Sequence, residues 1–133
     1  MAIVVDVSVA AAWCFPDERA DAADRALDEL PRLGGVIPGI FRYEICNVLI
    51  VNERRGRIDE VDSVRFLARL RDLRLRHDDA QDEVAVMSLA RKHRLSAYDA
   101  AYLETALRRG DGLATLDRHL ANAAAAEGVA LIH

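Results

Sequence analysis

Short, wholly apolar runs alternate along this chain with longer stretches in which apolar residues recur every three or four positions. Ala2 to Val5 are apolar in succession, as in a strand covered on both faces. Residues 8–15 predict a short helix that halts at Pro16. A second helix, with Asp17 as its cap, carries Ala20, Ala23, Leu27 and Leu30, and Pro31 with Gly34 and Gly35 ends it. Val36-Ile37 reads as a strand, and a helix over about 39–55 stops near Gly56. Asp59 is read as the cap of a helix reaching Leu73, and Arg74–His77 as a short edge strand. Asp78 or Asp79 then caps a helix to Arg94, and Ser96 one to Arg109. Leu113–Leu116 predicts a strand, 118–126 an alanine-rich helix and Val129–Ile132 a last strand. Strands alternating with helices in this way predict an α/β domain with a parallel sheet, expected to be one domain over 1–133.

Composition narrows the class. Of 133 residues, 52% are hydrophobic, which excludes an intrinsically disordered chain. No apolar run approaches the roughly 20 residues of a membrane span. No basic stretch precedes the first apolar run, so a signal peptide is not expected and the expected compartment is the cytoplasm. Cys14 and Cys46 stand among apolar residues outside any ligand spacing, and both read as small core residues. The net charge of −4 argues against a generic basic nucleic-acid binder. Arg54, Arg55, Arg57, Arg65, Arg69, Arg71, Arg74 and Arg76 nevertheless cluster, and Lys92 is the sole lysine. Such a cluster is either a solvated helix face or a set of guanidinium forks suited to phosphate.

Four acids change the picture from fold to chemistry. Glu44 falls inside the apolar stripe Phe41, Ile45, Val48 and Leu49. A carboxylate there needs a partner such as Arg42, an opening to water, or a cation. Asp99 shares the face of Leu103, Ala106 and Leu107, where Ser96 and Asp99 also form a loose capping box. Asp6 and Asp117 each follow a predicted strand and precede a helix, so each is a helix cap or a ligand. In an open parallel sheet, positions after strands and in the first turns of helices share one edge, where sites form. Carboxylates gathered there repel one another and raise each other's pKa, a conflict that a divalent ion removes. All-oxygen donors suit Mg²⁺ or Mn²⁺ rather than zinc, and such a centre suits the hydrolysis of phosphate esters.

The stretches VVDVSVAAAWCF, IPGIFRYEICNVL, LSAYDAAYLETA and LATLDRHL occur in this order over essentially the whole chain. The set resembles PIN-domain ribonucleases, specifically the VapC toxins of bacterial toxin–antitoxin pairs. The resemblance implies a three-layer α/β/α sandwich with a short central parallel sheet. It implies an acidic quartet of Asp6, Glu44, Asp99 and Asp117, with Asp6 and Asp99 nearest to Mg²⁺ or Mn²⁺ and the other two acting partly through water. Ser8 and Thr115 would hold carboxylates or water beside the ion, and Asn47 would serve a supporting role one turn after Glu44. The implied partners are a tRNA or rRNA substrate, a VapB-type antitoxin, a second copy in a homodimer, and operator DNA reached only through the antitoxin complex. Trp13 and Phe15 read as core packing or as part of a groove for antitoxin side chains.

Other classes stay in view. A PIN nuclease of RNA maturation or turnover would share every motif. A haloacid-dehalogenase-type phosphatase needs a second aspartate where Ser8 stands, and a receiver-type phospho-acceptor needs a late strand lysine where Lys92 lies in a predicted helix. A regulatory or RNA-binding module would use the same acids only as caps.

Overall fold

The computed structural model describes all 133 residues. Its strands are β1 (Ile3–Val5), β2 (Gly35–Pro38), β3 (Arg76–Asp78) and β4 (Gly112–Ala114). Its helices are α1 (Val7–Cys14), α2 (Asp21–Leu33), α3 (Gly39–Arg54), α4 (Glu60–Asp72), α5 (Glu83–His93), α6 (Ala97–Arg109) and α7 (Arg118–Ala126). The strands form one parallel sheet in the order β3-β2-β1-β4. Successive strand residues point to opposite faces, and Ile3, Val4 and Val5 are all fully buried. Helices therefore cover both faces, which gives the expected α/β/α layering. Tyr102 and Leu103 of α6, Leu113 of β4 and Leu120 of α7 are also fully buried. No helix is long and apolar enough to cross a membrane.

The register decides what meets at the sheet's edge. Val5 pairs with Ala114 and Val4 with Val36. The residues just past β1 and β4, Asp6 and Thr115, are thus neighbours across the sheet. The Asp6 amide donates to the Ala114 carbonyl at 3.0 Å and extends the ladder by one rung. Gly35 lets the two leucines close over the start of β2, since a Cβ there would lie 2.5 Å from the Leu75 Cδ2 and 2.8 Å from the Leu30 Cδ2 and would push both aside.

Several expected boundaries shift. Asp17 caps no helix: it lies in a 3-10 turn, Pro16–Glu18, where it accepts two hydrogen bonds from Arg57, and Ala20 precedes α2. Pro31 does not end α2, which runs on to Leu33 and closes at Gly34, with φ +81°. The cap of α5 is Asp82, whose carboxylate accepts from the Val84 and Ala85 amides, not Asp78 or Asp79. Asp78 is buried and accepts from both Arg108 and Arg109, which hold it at a pKa of about 2. Those guanidinium groups also bind Glu104 and Asp111, and Asp111 takes the Ala2 amide, so the end of α6 is tied to β1 and β3. The expected last strand reduces to one bridge, Leu131 to Leu113. Asp59 caps α4 with a complete capping box, and Ser96 caps α6, both as expected.

Cys46 is exposed rather than a core residue, and Cys14 is half-buried. Phe15 is buried, while Trp13 is half-buried and donates its indole N–H to the Ala23 carbonyl. Arg57 is the one member of the arginine cluster held in ion pairs, with Asp17 and Glu18, and its guanidinium lies over the Phe15 ring.

Candidate active site

The two readings of the strand-terminal acids separate in the structure. Asp117 is a true cap: its carboxylate accepts the Leu120 amide at 2.9 Å. Asp6 stands at the N-cap position of α1, yet its side chain makes no capping hydrogen bond. Its Oδ2 instead accepts two hydroxyls, from Ser8 and Thr115, each at 2.7 Å. Those hydroxyls are themselves fixed, because Ser8 Oγ accepts the Leu116 amide and Thr115 Oγ1 accepts the Asp117 amide. Neither hydroxyl reaches Oδ1. Asp6 as a whole is 3% exposed. Burial raises its pKa, the hydroxyl bonds and the Val7 amide pull it back, and the charge of Asp117 pushes it up again.

Glu44 is half-buried on α3, and of the partners the sequence allows it does not take Arg42. Arg42 turns away to His77 Nδ1, at 3.4 Å. The Tyr102 hydroxyl donates to Glu44 Oε1 at 2.6 Å from the interior of α6. Burial lifts the Glu44 pKa, the tyrosine bond lowers it, and the charges of Asp6 and Asp99 lift it further. Burial, and then the same contact, drive the Tyr102 hydroxyl strongly upward, so it stays a donor at every physiological pH. Asp99, in the first turn of α6, gives its amide to the Ser96 hydroxyl. Its carboxyl is raised by burial, then by Asp6 and Asp117, with His119 and Ser96 acting the other way.

The four acids of β1, α3, α6 and the β4–α7 junction are thus coupled electrostatically, each to at least one other. They stand within reach of one another's charge without forming a closed cage: no three acid, histidine or cysteine side chains lie close enough to hold an ion as they stand. The donor chemistry fits a hard divalent cation, because it is all carboxylate oxygen, and Asp6, Glu44 and Asp99, raised first by burial and then by neighbouring acid charge, would be relieved by one. Asn47 is exposed and makes no hydrogen bond to any of the four. The role of Tyr102 is what sequence reasoning missed. The available signal was a tyrosine three residues after Asp99, on the same buried face.

A short parallel sheet of order 3-2-1-4, layered by helices and carrying acids at its carboxyl edge, defines a class, and the chain belongs to it: residues 3–126 match the PIN domain family. Within that family it is of the VapC type. It is 36% identical over 125 residues to Ribonuclease VapC3 of Pyrobaculum aerophilum, an alignment covering 91% of this chain and 93% of the relative. The crystal structure of PAE2754, also from Pyrobaculum aerophilum, superposes with a TM-score of 0.76 at 25% identity, over 99% of this chain and 84% of that one.

Proposed function

We propose that this chain is a metal-dependent endoribonuclease that cleaves RNA phosphodiester bonds as the toxin of a type II toxin–antitoxin pair, restrained by a cognate VapB-type antitoxin. The observation that carries the reading is the mutual charge coupling of Asp6, Glu44, Asp99 and Asp117 at one edge of the sheet. The name of the relative, Ribonuclease VapC3, supports it.

In this reading Asp6 and Asp99 hold Mg²⁺ or Mn²⁺ most directly, and Glu44 and Asp117 complete the site partly through water. The bound ion supplies charge neutralisation at the phosphoryl oxygens. Ser8 and Thr115 favour the ionised form of Asp6 against its burial and fix its orientation through Oδ2. Tyr102 does the same for Glu44 through Oε1. Asp117, clamped by the Leu120 amide, stays rigid at the head of α7. Glu44, its acidity weakened by burial, is suited to take a proton from the attacking water. The remaining partners are a second copy in a homodimer, a tRNA or rRNA substrate, and operator DNA only through the antitoxin complex, all in a cytoplasmic single-domain protein.

Purified protein freed of antitoxin should cut RNA with Mg²⁺ or Mn²⁺ and be silent with EDTA, and Asp6→Ala should abolish cutting. Wild-type rates in both Asp6→Ala and Asp99→Ala would sink the reading. Growth arrest on expression, relieved by the antitoxin, separates a toxin from a nuclease of RNA maturation.

A further inference from the structure

Asp99 and Asp117 belong to different helices, and their charges act on one another. Each is held by its own surroundings. The Asp117 amide is fixed to the Thr115 hydroxyl and its carboxylate to the Leu120 amide. The Asp99 amide is fixed to the Ser96 hydroxyl. None of these bonds spans the gap between the heads of α6 and α7.

One side chain does. His119, two residues after Asp117 in the first turn of α7, brings its Nε2 to 2.7 Å from the His93 carbonyl. A carbonyl only accepts, so Nε2 carries the proton and the contact fixes the orientation of the ring. His93 is the last residue of α5, where the closing carbonyls have no partner within the helix. The chain from that carbonyl to Asp99 is short and closely held. Arg94 turns in the left-handed region at φ +55°, with its amide on the Ala90 carbonyl. The buried Leu95 gives its amide to the same carbonyl. Ser96 follows and caps α6 through the Asp99 amide. The imidazole therefore grips the turn that leads into Asp99. The charge of His119 also acts on the Asp99 carboxyl, which agrees with that placement.

The far end of α7 is tied to the same residue. Glu127, just past the helix, accepts from the His93 ring at 2.6 Å and pairs with Lys92 at 2.7 Å. His93 thus holds the head of α7 by its carbonyl and the tail by its ring. The head tie adjoins Asp117, and the tail tie lies roughly 13 Å further along the helix.

We infer that His119 is a positioning residue of the acidic site: its bond to the His93 carbonyl sets the separation of Asp117 from Asp99, and with it the affinity of the acids for a divalent cation. This rests on the metal-dependent reading above and deepens it. The tie can strengthen the site by no more than its own net free energy, that of a single hydrogen bond.

The test is Mn²⁺ binding followed by calorimetry without RNA, beside thermal melting in EDTA. His119→Ala should weaken Mn²⁺ binding roughly 2- to 10-fold. His119→Gln should restore it, because a glutamine can place its Nε2 donor where the imidazole places its own. Rescue by an uncharged amide separates the tie from any effect of histidine charge. Glu127→Ala cuts only the tail tie, so it should lower the melting temperature and leave Mn²⁺ affinity at the wild-type value. In cleavage assays His119→Ala should regain the wild-type rate at saturating Mn²⁺. Affinity that falls in Asp99→Ala but not in His119→Ala would overturn this inference alone, as would a glutamine variant no better than alanine. An equal fall in Glu127→Ala would also overturn it, by making the effect one of general stability. Wild-type affinity in Asp99→Ala would remove the metal-site reading, and this inference with it.

Discussion

Replacing Tyr102 with phenylalanine removes one oxygen from a fully buried ring and leaves its packing in place. That oxygen is the donor to Glu44 Oε1 at 2.6 Å. A hydrogen bond to a charged group contributes about 1.5–3 kcal/mol, against about 0.5–1.5 kcal/mol for a neutral pair. Glu44 already has a raised folded-state pKa, so the folded protein binds more protons than the unfolded chain just above the ordinary carboxylate range. Stability therefore declines as pH rises through that window, and the tyrosine bond limits the decline by favouring the ionised form. In Tyr102→Phe the Glu44 pKa moves further up and the decline deepens. Urea unfolding in EDTA should show the variant less stable by about 1.5–3 kcal/mol at pH 7.5, and by only about 0.5–1.5 kcal/mol on acidification to below the ordinary carboxylate range, where Glu44 is protonated in both proteins. Asp6 and Asp99 titrate in both proteins, so their contributions largely cancel in the difference. A gap that stays constant with pH, or widens on acidification, would refute the claim that the hydroxyl serves the ionised carboxylate.

Two further outcomes follow from the charge network and the quartet. Asp78→Asn should cost about 1–2 kcal/mol at pH 7, a value discounted for the partial exposure of its arginine partners. The aspartate's folded pKa of about 2 lies below its unfolded value, so its contribution is complete above about pH 4 and is lost as pH falls towards 2. Denaturant curves of variant and wild type should accordingly converge over that interval, and a difference that persists at pH 2 would contradict the assignment. Mn²⁺ should raise the melting temperature more as pH rises, since protons compete for carboxyls with raised pKa values, and saturation to 100 times Kd corresponds to about 2.7 kcal/mol. An equal Mn²⁺ shift in Asp6→Asn would place the ion elsewhere.

What the sequence disclosed was the local part of this design. The strand running into Asp6, the capping box at Asp59 and the acid inside the Phe41–Leu49 stripe depend on residues a few positions apart, and pattern reads them. Asp78 escaped because its partners are Arg108 and Arg109, 30 and 31 positions on. Between a strand and a helix, an aspartate is locally indistinguishable from a cap. Tyr102 escaped for the same reason, 58 positions from Glu44. Pro31 misled because its cost in a helix is an average, and here two further residues complete the turn before Gly34. The last strand shrank because pattern gives apolar character but not pairing length. The Leu113 amide still donates to Ala130 and the Ile132 amide to Leu113, around a single bridge.

Helix α6 carries Asp99 in its first turn and Tyr102 one turn later, and its far end is bolted down through Arg108 and Arg109 to Asp78 and Asp111. One rod thus sets two acids at once, the first directly and Glu44 by proxy. Inserting or deleting a single residue between 99 and 102 would turn Asp99 and the Tyr102 hydroxyl about 100° relative to one another, so the two could no longer both keep their places. The spacing of those four residues is therefore a mechanical tolerance, set within a single turn of one helix.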